Sequence, residues 1–407
     1  MSTTGPVPSP AHSSAGASPG TVLVVGAGLV GASIGLGLRP TGTDVVLHDA
    51  SPTVAAVAAD LGAGRLPDRR DDDAGPDLVV VAAPPDVTAG LVVAYLGRYP
   101  DAVVTDVAST KAAVVAEVVA RAGADAHRYV GGHPMAGRER SGPMAARGDL
   151  FVGRPWVLTP APGTSPAATA LVRETAARLG AVVVELDPAT HDDSVALVSH
   201  LPQVAASLVA ARLVGASDSA VALAGQGLRD VTRIAASDPV LWAQILAGNA
   251  APLAHQLRLL RDDLDRTLAA LEQLDPDRAD GPAAGGTVAD GLDGGAGRAD
   301  GPPVRVAGPV GTLARLVADG NAGRAMVPGK HGSAPTVYAV VPVLVPDRPG
   351  SLAALIGTIG EVGVNIEDLR IEHSPGRLAG VAEVSVVPAA RDRLVEALTE
   401  RGWSVPD

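Results

Sequence analysis

A strand, glycine turn, helix and strand from Thr21, a strand-free Ala- and Leu-rich stretch from Pro188, and a strand–helix–strand–strand–helix–strand order from Pro335 predict a chain in three parts. These are an α/β domain built on a parallel sheet, an all-α domain, and a small ferredoxin-like βαββαβ domain at the C-terminus. A length of 407 residues suits two or three domains. Hydrophobic residues make up 47% of the chain but aromatics only 2%, so the cores must be built from Val, Ala and Leu. The net charge of -12 argues against a nucleic-acid partner and against an anionic membrane surface. With no cysteine, disulfides and thiolate metal sites are excluded, no metal is expected, and a cytoplasmic setting fits.

Residues 1–20 carry no Lys, no Arg and no apolar run, which excludes a secretory signal and predicts a disordered tail. The α/β domain is expected over 21–187. TVLVVG, DVVLHD, LVVVAAPP and AVVTDVAS are short β-branched runs separated by helix-length segments, the mark of βαβ units. Near-continuous Val runs fit strands buried on both faces. RYVGGHP, RPWVLTP and AVVVELD supply three more strands. After the first strand, GAGLVG places Gly26, Gly28 and Gly31 in G-x-G-x-x-G spacing. Gly26 allows the tight turn, Gly28 lets backbone approach a diphosphate, and Gly31 lets helix pack closely on strand. Leu29 and Val30 open the helix, whose free N–H groups and dipole attract the diphosphate. The second strand ends at Asp49, where a ribose-binding acid is needed and where a carboxylate repels a 2′-phosphate. The domain is therefore read as a Rossmann domain that binds NAD rather than NADP.

Residues 188–274 show helical periodicity and no strand signal, with Gly215, Gly225, Gly227 and Gly248 as punctuation. Several of these helices are apolar nearly all round, which implies burial against another helix layer and predicts a homodimer through this part. The longest apolar stretch, VALVSHLPQVAASLVAARLVG, is broken by His200, Pro202, Gln203 and Arg212, so no membrane-spanning helix is expected. Residues 275–334 are read as a linker and a short helix. The linker repeats RADGP and holds almost nothing that could pack; as a flexible coil it spans roughly 30 Å root-mean-square. Residues 335–407 form the βαββαβ domain.

Two loops carry the chemistry. TDVASTK supplies Ser109, Thr110 and Lys111, and GGHPMAGRERSG supplies His133, Arg138, Glu139 and Arg140. Both follow strands, and ligands of such sheets sit outside the carboxyl ends of the strands. His133 is flanked by Gly131, Gly132 and Pro134, a constrained loop, and an imidazole of pKa about 6.5 takes a proton near neutral pH. Ser109 and Lys111 also suit a helix cap and first turn. Pro202 should kink its helix. His191 and His200 would lie on opposite sides of an ideal helix, serving one site only if the helix breaks. On the residues alone, His200 fits a buried structural role and a substrate ligand equally. Arg229 and Arg233 stack at i, i+4, as either a solvated face or a guanidinium fork for a carboxylate.

GAGLVGAS, TDVASTK, GGHPMAGRERSG, LVSHLPQ and DVTRIAASDPVLW together resemble the prephenate dehydrogenase family of tyrosine biosynthesis, over residues 21 to about 275. DRPGSLAAL and GVNIEDL resemble the ACT domain, a small-molecule sensor that usually binds amino acids. The resemblance implies His133 as the catalytic histidine, with Ser109 bonded to it and to the substrate hydroxyl. It implies His200 and Arg233 as substrate contacts; Lys111 and Arg229 are further substrate-binding candidates on the residues alone. It also implies an NAD-binding first domain and a helical domain that makes the dimer. Prephenate is favoured as substrate, with arogenate as the alternative. A hydroxyacid or imine reductase would not be expected to carry HPMAG, and an intact His133, Ser109 and Arg233 set argues against a non-catalytic sensor. In the ACT part, Gly350, Ser351, Asn365 and Ile366 are expected to hold an aromatic amino acid, tyrosine first.

Overall fold

The computed structural model describes residues 19–68, 71, 75–137, 142–275, 307–327, 338–373 and 379–406. Most of the expected tail and linker, and Arg138, Glu139 and Arg140, lie outside them. The chain divides into two compact units, Met1–Leu260 and Arg261–Asp407.

The first unit opens with β1 (Thr21–Val25), α1 (Leu29–Leu38), β2 (Asp44–His48), α2 (Pro52–Asp60), β3 (Leu78–Val81) and α3 (Pro85–Arg98). It continues with β4 (Val103–Asp106), α4 (Ala112–Ala122), β5 (Tyr129–Pro134), β6 (Pro155–Pro160), α5 (Pro166–Arg178) and β7 (Val182–Glu185). The sheet order is β2-β1-β3-β4-β5-β6-β7. From β2 across to β5 all pairs are parallel. Strand β6 runs antiparallel to β5, and β7 parallel to β6. An antiparallel neighbour does not need the crossover connection that a parallel one does. The Val runs alternate between two cores, as period-2 geometry requires. Val22, Val24, Leu47, Val80 and Leu158 pack against α1, α2 and α5 on one face. Leu23, Val25, Val79, Val81 and Val104 pack against α3 and α4 on the other. The chain leaves β1 for β2 on one side and reaches β3 on the other, so the switch point lies between β1 and β3.

Helices follow: α6 (Pro188–Val195), a π turn (Ala196–His200), α7 (Leu201–Ala211), α8 (Asp218–Ala222), α9 (Gln226–Arg233), α10 (Pro239–Gly248) and α11 (Ala250–Leu274). The starts are written in the sequence. Asp187, Ser217 and Asp238 each accept backbone N–H bonds at the head of α6, α8 and α10. The break expected at Pro202 takes the form of the π turn just before it, which accommodates the missing N–H without ending the helix. The run Pro188–Ala211 is thus continuous and, by length and composition alone, long and apolar enough to cross a membrane. Four of its polar side chains, His191, Asp192, His200 and Gln203, are buried within the chain, while Asp193, Ser194 and Ser207 are exposed. Large apolar side chains stay open on these helices, among them Val198 at 63%, Leu208 at 56% and Val240 at 69% exposure.

In the second unit, α12 (Gly308–Met326) is longer than the short helix expected there. After it come β8 (Ala339–Pro346), α13 (Ser351–Glu361), β9 (Asp368–His373), β10 (Ala379–Val386) and α14 (Arg391–Glu400). The sheet order is β8-β10-β9, all antiparallel. Leu344 pairs with Ser404, so the final strand of the βαββαβ order is reduced to a single bridge on the far side of β8. Val341, Val343, Ala382 and Val384 of the sheet close over Leu355, Ile359, Leu394 and Leu398 of the two helices.

Candidate active site

The glycine turn has the form a dinucleotide needs. Gly26 adopts φ 99°, and a Cβ there would collide with the carbonyl of Ala82. A Cβ on Gly31 would collide with the carbonyl of Gly26 and press on Val24. A Cβ on Gly28 would meet nothing within 4 Å, so this residue faces open space at the head of α1. No side chain caps α1, which leaves the N–H groups around Leu29, Val30 and Gly31 for an anion. Asp49 stands beside them: one carboxylate oxygen accepts from Ala27 N at 2.8 Å and the other from Ser51 N at 2.8 Å. The residues present therefore fit NAD. A bound NAD would be held with its diphosphate at Gly28 and the helix start and its adenosine ribose at Asp49.

Farther along the same sheet edge, β4 ends at Asp106 and β5 carries His133 near its end. Behind them is a network of buried polar groups. Asp106 accepts from Ala108 N at 2.8 Å and from the Tyr129 hydroxyl at 2.6 Å, and pairs with the Lys111 ammonium. Lys111 Nζ also donates to Gly132 O at 2.8 Å, the carbonyl just before His133. Both Lys111 and Asp106 have no exposed surface. Burial pushes the Lys111 pKa down against the pull of Asp106, and burial with Asp106 pushes the Tyr129 hydroxyl well above its usual value. The expectation that Lys111 contacts substrate is thereby corrected: its ammonium turns back toward the strand ends, because the carboxylate of Asp106 lies there.

His133 Nδ1 lies 2.8 Å from His191 Nε2, and His191 Nδ1 lies 2.7 Å from Asp192 Oδ1. Asp192 also accepts from Lys111 N and Ala112 N, each at 2.8 Å, so a side chain of α6 caps α4. Asn249 Nδ2 reaches Asp192 O at 2.7 Å and His200 Nδ1 at 3.1 Å, and Trp242 meets the His200 ring edge-on. The π turn explains how His191 and His200 serve one network: it takes up extra chain and rotates the downstream face. Burial, then His191, Lys111 and His200, hold the His133 imidazole well below its usual pKa, so it is neutral at pH 7. Burial lowers His200 as well, against Asp192.

Ser109 sits half-buried in the loop after β4. Among the described residues, the hydrogen bond of His133 goes to His191 rather than to Ser109. Arg229 and Arg233 lie on exposed faces of α9, with Arg229 Nη2 on Ala224 O at 3.3 Å. In the second unit, Gly350 heads α13 at φ 88° with open space beside it, Ser351 follows, and Ile366 packs toward the core. Asn365 is exposed and donates to Glu367 at 2.7 Å. Sequence reasoning missed Asp106, Tyr129, His191, Asp192 and Asn249. One signal existed for two of them. His191 and Asp192 lie four residues before Val195 and Ala196, so they share the apolar face that the helix buries.

Residues 34–185 match the family model for the nucleotide-binding domain of prephenate dehydrogenase, 187–279 match its dimerization domain, and 339–400 match the ACT domain. The chain is 37% identical to the Streptomyces niveus protein named "Probable prephenate dehydrogenase NovF", covering 94% of this chain and 98% of that one. It is 28% identical to prephenate dehydrogenase of Bacillus subtilis, covering 90% and 91%. Among solved structures, prephenate dehydrogenase from A. aeolicus in complex with hydroxyphenyl propionate and NAD+ superposes with a TM-score of 0.57. That match has 29% identity and covers 63% of this chain and 93% of that one. Synechocystis arogenate dehydrogenase gives 0.54 at 27% identity, covering 63% and 94%. With the glycine turn, the buried histidine and matches that run through all three parts, the chain belongs to the prephenate dehydrogenase family.

Proposed function

We propose that the chain catalyses the oxidative decarboxylation of prephenate to 4-hydroxyphenylpyruvate with NAD as hydride acceptor. The observation that carries this reading is His133, a neutral imidazole on the carboxyl edge of the sheet whose first turn is shaped for a dinucleotide. Bound NAD supplies the acceptor for the hydride that leaves the carbinol carbon as the ring carboxylate departs as carbon dioxide. His133 takes the hydroxyl proton, which a low-pKa imidazole does at pH 7. Ser109, from the loop after β4, orients that hydroxyl. Aromatisation drives the step downhill, so the protein's main tasks are positioning and one proton transfer. Arg233 anchors a substrate carboxylate with Arg229 on the same helix face, and His200 lines the floor. The site is water-poor, because His133, His191, Asp192, His200 and Asn249 are all nine-tenths buried or more.

The open apolar side chains of α6 to α10 support pairing of two chains through the helical part, which sedimentation equilibrium reads directly. In the ACT part, Gly350 presents its backbone N–H to a carboxylate with the Ser351 side chain beside it, and Asn365 with Ile366 faces the rest of an amino acid. Tyrosine, the end product, is the proposed effector. Calorimetric titration of the full chain with tyrosine, phenylalanine and tryptophan tests it; no heat from any of them removes the proposal. For the reaction itself, NADH absorbance is followed with prephenate and with arogenate in turn. Turnover of prephenate supports the reading, preference for arogenate redirects it, and turnover of neither overturns it.

A further inference from the structure

A base must be bare on the nitrogen that meets the substrate. The bonds behind His133 decide which nitrogen that is. Asp192 accepts from Lys111 N and Ala112 N at the head of α4, each at 2.8 Å. Lys111 N bonds Oδ1 and Ala112 N bonds Oδ2, so both oxygens of Asp192 are acceptors. The 2.7 Å contact between Asp192 Oδ1 and His191 Nδ1 therefore uses the proton of His191. With the ring proton used on Nδ1, Nε2 of His191 is the acceptor in its other contact. The 2.8 Å contact between that Nε2 and His133 Nδ1 then requires the proton of His133 to sit on Nδ1.

We infer that His191 and Asp192 are positioning residues that hold His133 in the Nδ1–H form, leaving its Nε2 free to receive the hydroxyl proton. The role of that Nε2 rests on the dehydrogenase reading; the tautomer does not. His191 has no exposed surface and Asp192 only 3%, so water does not compete for these bonds. When the O–H bond of the substrate breaks and its proton joins Nε2, the imidazolium carries a proton on each nitrogen. Its Nδ1–H already points at the His191 lone pair, and the Asp192 charge lies one ring farther on. The other groups that face His133 are Lys111, from the start of α4, and His200, from the π turn; both oppose the positive charge. Asp106 is turned to Lys111 and Tyr129, which leaves Asp192 as the anion reached by the relay. The same carboxylate caps α4, so the loop that carries Ser109 is fixed to the relay that orients His133.

The test combines a spectroscopic readout with a rescue. The full chain is labelled with 15N at histidine, and the ring signals of His133 are assigned by their loss in His133→Asn. The expected wild-type signal has its proton on Nδ1. His191→Leu removes the acceptor and should move protonation toward Nε2. His191→Gln, whose side-chain oxygen reaches the place of the lost Nε2, should keep it on Nδ1. In kinetics, His191→Leu should lower kcat by about 10²- to 10³-fold with KM little changed, below the ~10⁴-fold cost of a wrong tautomer in a serine-protease triad. His191→Gln should recover at least about tenfold of that. A wild-type proton on Nε2 overturns the inference, as do equal rates for the Leu and Gln variants. If wild type makes no NADH from prephenate, the functional reading fails while the ring signals still test the tautomer.

Discussion

Lys111→Met removes an ammonium with no exposed surface while keeping most of the side chain's apolar length. The carboxylate of Asp106, itself fully buried, keeps Ala108 N and the Tyr129 hydroxyl but loses its counter-charge. Breaking a buried pair by removing one partner costs about 3–5 kcal/mol. In a unit of this size each kcal/mol moves the thermal midpoint by about 2–4 °C, so a drop of roughly 6–20 °C is expected by calorimetry on the full chain. Adding Asp106→Asn removes the stranded charge: its amide oxygen keeps the bond from Ala108 N, and its NH2 takes the place of the other oxygen and donates to the Tyr129 hydroxyl, which turns from donor to acceptor. The double variant should therefore regain roughly half of the loss or more. A second consequence is kinetic. His133 must be neutral to act, so the rate falls as pH drops through its pKa. Lys111 is one of the groups that hold that pKa down, behind burial and His191. Its loss lets the pKa rise, and the acid limb of kcat/KM moves to higher pH. An unmoved midpoint would refute the buried-pair account, and an acid limb that stays in place or moves to lower pH would refute the electrostatic one.

Asp49→Ala should narrow or invert the preference for NAD over NADP, because the carboxylate that repels a 2′-phosphate is gone; binding titrations of both cofactors read this, and an unchanged ratio returns Asp49 to a purely structural cap on Ala27 and Ser51. Arg233→Ala should raise the KM for prephenate far more than it lowers kcat, the pattern of lost uniform binding; an unchanged KM would leave Arg233 a solvated surface residue.

The sheet and the cofactor turn were legible because each rests on local chemistry. Val runs, one glycine with positive φ and two glycines without room or need for a Cβ are all written in consecutive residues. The direction of β6 was not, since it lies in the pairing with β5 and not in consecutive residues. His133 was legible from its Gly and Pro neighbours. Its partner was not, because His191 lies in another part of the sequence and reaches His133 only through the docking of α6 on α4. Lys111 was misread for a related reason. The sequence puts a cation near the strand ends, but its direction is set by Asp106, five residues back on β4, which looks like any strand-end acid. The break near Pro202 was anticipated, yet its consequence, His191 and His200 in one network, needed the π turn. Helix α12 has no strong periodicity to announce its length.

The claim on which the rest depends is that His133 removes the hydroxyl proton. It is tested most directly by the steady-state rate of NADH formation from prephenate in His133→Asn, with NAD binding measured alongside. The expected result is a loss of turnover of about 10²- to 10⁴-fold with NAD affinity unchanged, the span of a missing general base. Turnover within a few-fold of wild type would contradict it.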